Sequence, residues 1–269
     1  MGLAPKHLGD PTGSSLRYDT DFVLTKPTTD VILHGSAYTP RGEPATSVDV
    51  SLRVGDIRKT LRVTGNRSFL QNGLGIAPGD AQPFRKLPLI YERAFGGGEP
   101  GFPTKDRCRV DDRNPVGTGY VAAVGNLAPN IEYPGQGGNG PPAGFGPIAP
   151  HWKPRATYAG TYDDDWLANR HPLYPRDLDD RFFLCSPEDQ PPARFLRSGE
   201  PVELTDLTPG GQLAFELPRI AFGFETVFLD RECVQHPGLA PNSTSAGSLT
   251  AGGSCSSPWQ RGEEFATDR

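Results

Sequence analysis

Acids supply the first candidate chemistry in this chain. Asp163-Asp164-Asp165 form one run, and Asp177, Asp179 and Asp180 form a second. Clustered carboxylates can hold calcium, but neither group follows the spacing of an EF-hand loop, and no metal is expected. Paired carboxyl groups can also hydrolyse a glycosidic bond, one as acid and the other as base or nucleophile. Glu92, Asp163, Asp177 and Asp180 are the candidates for such a pair. Their separation in space is not written in the sequence, so a carbohydrate-active hydrolase stands as an alternative function. Other catalytic patterns are sparse. The histidines (His7, His34, His151, His171 and His236) include no His-Glu-x-x-His or other close pair. No Gly-x-Ser-x-Gly elbow occurs. Cys108, Cys185, Cys233 and Cys255 lie far apart, without metal-type spacing, and are read as thiols. Gly135–Gly140 matches the dinucleotide pattern G-x-G-x-x-G. No strong strand precedes it and Pro141-Pro142 follows where a helix should start, so it is read as a loop. No catalytic residue and no cofactor are assigned.

Recognition is better represented than catalysis. Pro142–Gln190 is dense in aromatics, arginines and aspartates, holds many prolines and has little hydrophobic period. Such composition suits loops built for specific contacts. Tyr91, Glu92, Arg93 and Phe95 form the most distinctive short string, and Trp152, Arg155, Tyr158, Tyr162 and Trp166 form a second group of the same kind. Trp, Tyr and Arg are the residue types enriched at binding hot spots. These nine residues are the expected docking surface, with alanine at Arg93, Trp152 or Tyr162 expected to weaken binding without unfolding the chain.

The elements that position these groups read as β structure. Val48, Val50, Leu52 and Val54 alternate with polar residues, Gly55-Asp56 supplies a turn of type II′, and Ile57, Leu61 and Val63 continue the apolar face. This register sets Val54 opposite Ile57, Val48 opposite Val63 and Asp49 opposite Arg62, a favourable pair. It also sets Arg53 opposite Arg58, which is unfavourable unless solvent or a carboxylate relieves it. Thr29–Tyr38 reads as a buried strand and Ile90–Phe95 as another. Gln212–Leu217, Ile220–Phe224 and Thr226–Leu229 follow near the end, after a Pro209-Gly210-Gly211 turn. One short helix is expected with Thr161 as its cap, Asp163–Asp165 in its first turn, Trp166 and Leu167 facing inward, and His171-Pro172 ending it.

The 269 residues include 33 Gly and 29 Pro, which together with the patterned strands indicate loop-rich β structure. The expected fold is mainly β, a sandwich or distorted barrel with long Pro/Gly-rich loops and one or two short helices. Residues 1–16 are expected as a flexible arm, 17–230 as a single domain and 231–269 as a Ser/Gly/Thr-rich tail without structure of its own. A net charge of −5 argues against non-specific nucleic-acid binding. No apolar stretch approaches a membrane span, and no secretory leader is read at the N-terminus.

An ordered series of strings carries a family resemblance. It begins at Lys26-Pro27-Thr28, Asp30-Val31 and Gly35-Ser36-Ala37, and continues through Val48–Val63, Gly65-Asn66-Arg67, Pro88–Gly97 and Asn114-Pro115-Val116-Gly117. It runs on through Leu127–Glu132, Pro142–Trp166, Asp180-Arg181-Phe182-Phe183 and Gly199-Glu200-Pro201-Val202. Over about residues 17–230 the chain resembles a bacterial conserved domain of formerly unknown function, encoded beside type VI secretion spike genes. The sequence after Asp230 does not resemble it. The resemblance implies a cytoplasmic, non-enzymatic adaptor or chaperone that helps place a secreted toxin on a VgrG spike, often tipped by a PAAR protein. It carries over no catalytic residue. A structural component of the spike is the remaining alternative.

Overall fold

A computed structural model describes residues 4–20, 26–99, 109–137, 140–186, 194–197 and 200–207, and the strand segments 212–216, 226–230, 242–243 and 249–250. The chain opens with β1 (Lys6–His7) paired to β2 (Leu16–Tyr18), where Leu16 enters the core. Within the segment expected as a flexible arm, Lys6, His7 and Leu16 are paired. The buried strand β3 (Asp30–His34) follows and breaks at Gly35 before β4 (Ser36–Tyr38). The long hairpin comes next: β5 (Ser47–Val54) and β6 (Ile57–Thr64), with every expected partner opposite, including Asp49 with Arg62 and Arg53 with Arg58. Gly55 takes φ +59, while Asp56 is not among the residues with positive φ, the sign pattern of a II′ turn. Val48, Val50, Leu52, Val54, Ile57, Leu61 and Val63 are all buried. Each contributes about 1.5–3 kcal/mol against an exposed side chain, and a one-residue slip would move the set into water.

A smaller hairpin, β7 (Phe69–Asn72) and β8 (Gly75–Pro78), precedes β9 (Lys86–Pro88), which pairs with β4. Two-residue strands β10 (Phe95–Gly96) and β11 (Thr118–Gly119) pair in parallel, and β12 (Ile131–Glu132) returns to the outer edge of β6. Two short helices, α1 (Lys153–Ala156) and α2 (Asp164–Asn169), lie in the aromatic block. The strand β13 (Val202–Thr205) then pairs with β5. It places Glu203 opposite Arg53, 3.3 Å away, so a carboxylate of the same chain relieves the Arg53–Arg58 clash. Finally β14 (Gln212–Glu216) lies between β3 and β15 (Thr226–Asp230). The expected strand Ile220–Phe224, the turn at Pro209 and most of the 231–269 tail lie outside the described residues; Asn242–Ser243 and Leu249–Thr250 pair with each other.

Two sheets dominate, ordered β12-β6-β5-β13 and β15-β14-β3. Val31, Leu33, Leu213 and Phe215 of the second share one core cluster with the inward face of the first. The fold is mainly β and sandwich-like, and no sheet closes into a barrel among the described residues. Tyr91, Phe145, Ile148 and Trp152 complete the cluster from irregular segments.

The Ile90–Phe95 stretch is not a strand through its length. Tyr91–Arg93 form a 3-10 turn, Ala94 makes a single bridge to Ile131, and the strand itself is Phe95–Gly96. Asn114, fully buried, shapes this turn by donating to the carbonyls of Tyr91 and Phe95. Gly96 has φ +148, and a Cβ there would lie 2.2 Å from the Asn114 carbonyl oxygen, so only glycine fits.

Candidate docking site

The nine residues expected to dock a partner divide into three groups. Tyr91, Trp152 and Arg155 are core residues, each at most 2% exposed. The Tyr91 and Trp152 rings meet edge to face at 5.4 Å, and the Tyr91 hydroxyl donates to the Gly146 carbonyl. These three cannot touch a partner without the fold opening, which corrects the expectation that alanine at Trp152 leaves unfolding unchanged. Glu92, Arg93 and Phe95 are half-buried and committed internally. Glu92 accepts from the Ser15 amide and hydroxyl, anchoring the N-terminal hairpin. Arg93 donates to the side-chain oxygens of Asn66 and Asn130, and Phe95 pairs with Thr118. Tyr158, Tyr162 and Trp166 remain, and they share one projection.

That projection leaves the domain after α1 and returns at the 3-10 turn Asp180–Phe183. Its base is closed by Arg155, whose Nε donates to the Phe182 carbonyl at 3.1 Å and whose Nη1 donates to the Ile148 carbonyl at 2.8 Å. Further out, the Asp179 amide donates to the Tyr158 carbonyl, and the Arg181 guanidinium lies 4.2 Å over the Tyr158 ring. Beyond that, Thr161 donates its amide and hydroxyl to the Asp177 carboxylate at 3.0 and 2.7 Å. Paired rungs close the loop on itself, as in an Ω-type excursion. The two Arg181 and Thr161 contacts also hold carboxyls in the ionised form. The Arg181 side chain and amide pull Asp179 down to about 2, and the Thr161 hydroxyl and amide lower Asp177.

The tip carries the aromatics. Tyr162 and Trp166 meet at 4.7 Å, and His171 packs edge-on to Trp166 at 5.3 Å. The indole Nε1 donates to the Leu173 carbonyl, across a cis His171-Pro172 bond. The cap of α2 is Asp163, which accepts from the Trp166 amide; Thr161 is engaged by Asp177 and does not cap. Trp166 is half-buried and Leu167 faces solvent, so the inward face expected of this helix is not formed. Tyr162, Leu167 and Leu173 are 51%, 61% and 58% exposed.

Two features were missed in the sequence. One is a buried charge network behind β3. Lys26 and Asp30 pair at 2.6 Å, and Arg155 and Asp19 pair at 2.7 Å, all at most 4% exposed. The buried Cys185 thiol lies 3.7 Å from both Lys26 Nζ and Asp19 Oδ2, joining the pairs, and Asp30 accepts from the Cys185 amide. Burial acts to lower the Arg155 pKa, but the neighbouring Asp19, Cys185 and Asp30 charges outweigh it and raise it above its ordinary value. An acid inside a strand read as buried was the available signal, because a buried charge demands a partner. The other is an apolar surface on β7–β8. Leu70, Leu74, Ile76, Val124 and Leu127 are exposed there, and the two segments are joined by bonds between Phe69 and residues 125–126. Residues 69–79 and 114–131 contain no charged side chain.

Three of the four acids of the hydrolase alternative serve separate internal contacts: Glu92 holds Ser15, Asp163 caps α2 and Asp177 holds Thr161. No group of three or more His, Cys, Asp or Glu is arranged to hold a metal ion among the described residues. No helix among them is long and apolar enough to cross a membrane.

Residues 1–242 match a family model described as "uncharacterized protein conserved in bacteria (DUF2169)". Neither curated proteins nor solved structures give a match.

Proposed function

Given that the chain belongs to this bacterial family, we propose that it is a cytoplasmic, non-enzymatic adaptor that binds a type VI secretion effector and helps load it onto a VgrG or PAAR spike protein. The observation that supports the reading is the projection from Tyr158 to Arg181. It sets Tyr162, Leu167 and Leu173 in water on a loop cross-linked at three levels, the lowest of them a buried arginine at its base. A domain that needed these side chains for its own core would bury them; here they are available to another surface. Pre-ordering the loop lowers the conformational entropy lost on docking. An adaptor works by adding a second set of contacts between toxin and spike, raising their effective local concentration.

The test is co-purification. The tagged protein is recovered from cells making the secretion machinery, and what stays bound through size exclusion is identified by mass spectrometry. A stoichiometric effector or spike protein is expected. Tyr162→Ala and Leu173→Ser should each weaken retention about tenfold or more, as hot-spot truncations do, with thermal unfolding unchanged. Recovery of a clean monomer, or retention indifferent to both substitutions, would sink the reading.

A further inference from the structure

We infer that the segment received by the Tyr158–Arg181 projection is basic as well as apolar: a stretch of partner chain with Lys or Arg beside Leu-, Ile- or Phe-type residues. This rests on the adaptor reading for its biological setting, but it stands on the chemistry of the tip. Asp163, Asp164 and Asp165 lie beside Tyr162, and all four are exposed. Asp164 and Leu167 are three residues apart on α2, hence neighbours on one face. Arg170, Arg176 and Arg181 are the basic residues of the projection, against six aspartates. Two of those arginines are turned to internal work: Arg170 donates to the Tyr174 carbonyl, while Arg181 pairs with Asp179 and covers Tyr158. Six aspartates against three arginines still leave the projection with an excess of negative side chains, and the run Asp163–Asp165 sets that excess beside Tyr162 and Leu167. An acidic partner would meet uncompensated like charge, and a purely apolar one would strip water from Asp164 and Asp165 without replacement. A basic, apolar segment satisfies both.

The experiment uses the full chain and two dye-labelled 12-residue peptides, one of Leu and Lys and one of Leu and Glu, followed by fluorescence anisotropy over a range of salt. The Lys peptide is expected to bind and the Glu peptide to bind at least tenfold more weakly. Asp164→Asn with Asp165→Asn should weaken the Lys peptide about tenfold at low salt and flatten its salt dependence. Leu173→Ser should weaken it at every salt concentration. Equal binding of both peptides, no binding of either, or binding untouched by these substitutions overturns the inference. A dimer of the intact protein that Leu173→Ser dissolves assigns the face to a second copy and overturns it too. Failure here is separable from failure of the adaptor reading. An effector retained in cells equally well by the Asp164→Asn/Asp165→Asn protein sinks the charge argument alone, whereas an intact protein that retains nothing sinks the adaptor.

Discussion

Arg155→Ala should be among the most damaging single substitutions in this protein. The guanidinium is 2% exposed and serves three acceptors: Asp19 at 2.7 Å, the Ile148 carbonyl at 2.8 Å and the Phe182 carbonyl at 3.1 Å. Removing it leaves the Asp19 carboxylate buried at 4% exposure without its counter-charge. Breaking a buried pair from one side costs about 3–5 kcal/mol. With a urea m-value of about 3 kcal/mol/M, the unfolding midpoint should fall by about 1–1.7 M. Arg155→Met combined with Asp19→Leu removes both charges and retains volume, so it should cost less than Arg155→Ala alone. Urea titration followed by circular dichroism, on proteins with equal m-values, decides the matter. A loss under about 1 kcal/mol for Arg155→Ala, or a double variant less stable than the single one, refutes the reasoning. Either would mean that the two charges are solvated or that the guanidinium is replaceable by water.

Trp152→Ala should cost about 3–5 kcal/mol, because it empties a fully buried site against Tyr91; denaturant unfolding measures it, and a cost under about 1 kcal/mol would place Trp152 at the surface. Asp179 should titrate at about 2 by carboxyl NMR, because Arg181 binds its ionised form. Since the folded pKa lies below the unfolded one, its contribution to stability is present above the ordinary carboxylate value of about 4 and fades as pH falls toward about 2. Arg181→Ala should raise Asp179 toward that ordinary value without reaching it, because the amide of residue 181 still donates to the carboxylate.

The parts of the fold legible in the sequence were those governed by local period. The β5–β6 hairpin follows from alternation, a Gly-Asp turn and one charge pair, and all three survive in the structure. β14 and β15 were legible for the same reason. What could not be read depends on partners distant in the chain. Glu203, 150 positions from Arg53, decides whether the Arg53–Arg58 pair is tolerable. Asp177 takes Thr161 away from its expected capping role, and the cap passes to Asp163. Tyr91 and Trp152 looked like surface because their neighbours have no period. A core built from 3-10 turns and loops has none to show, so aromatic density alone could not separate an internal wedge from a docking residue. Tyr162 and Trp166, from the same block, do stand on the projection.

The charge-free hairpin at Leu70, Leu74 and Ile76 gives the molecule two faces that respond differently to added salt. Added salt screens attraction at the aspartate-rimmed projection within a Debye length of about 10 Å at 0.1 M. A contact made on the hairpin has no charge to screen, and excluded salts such as sulfate strengthen burial of its leucines. Buffer choice during isolation therefore acts as a selector. Low salt would favour any partner held by charge at the projection, and high sulfate any contact that buries the leucines of the hairpin.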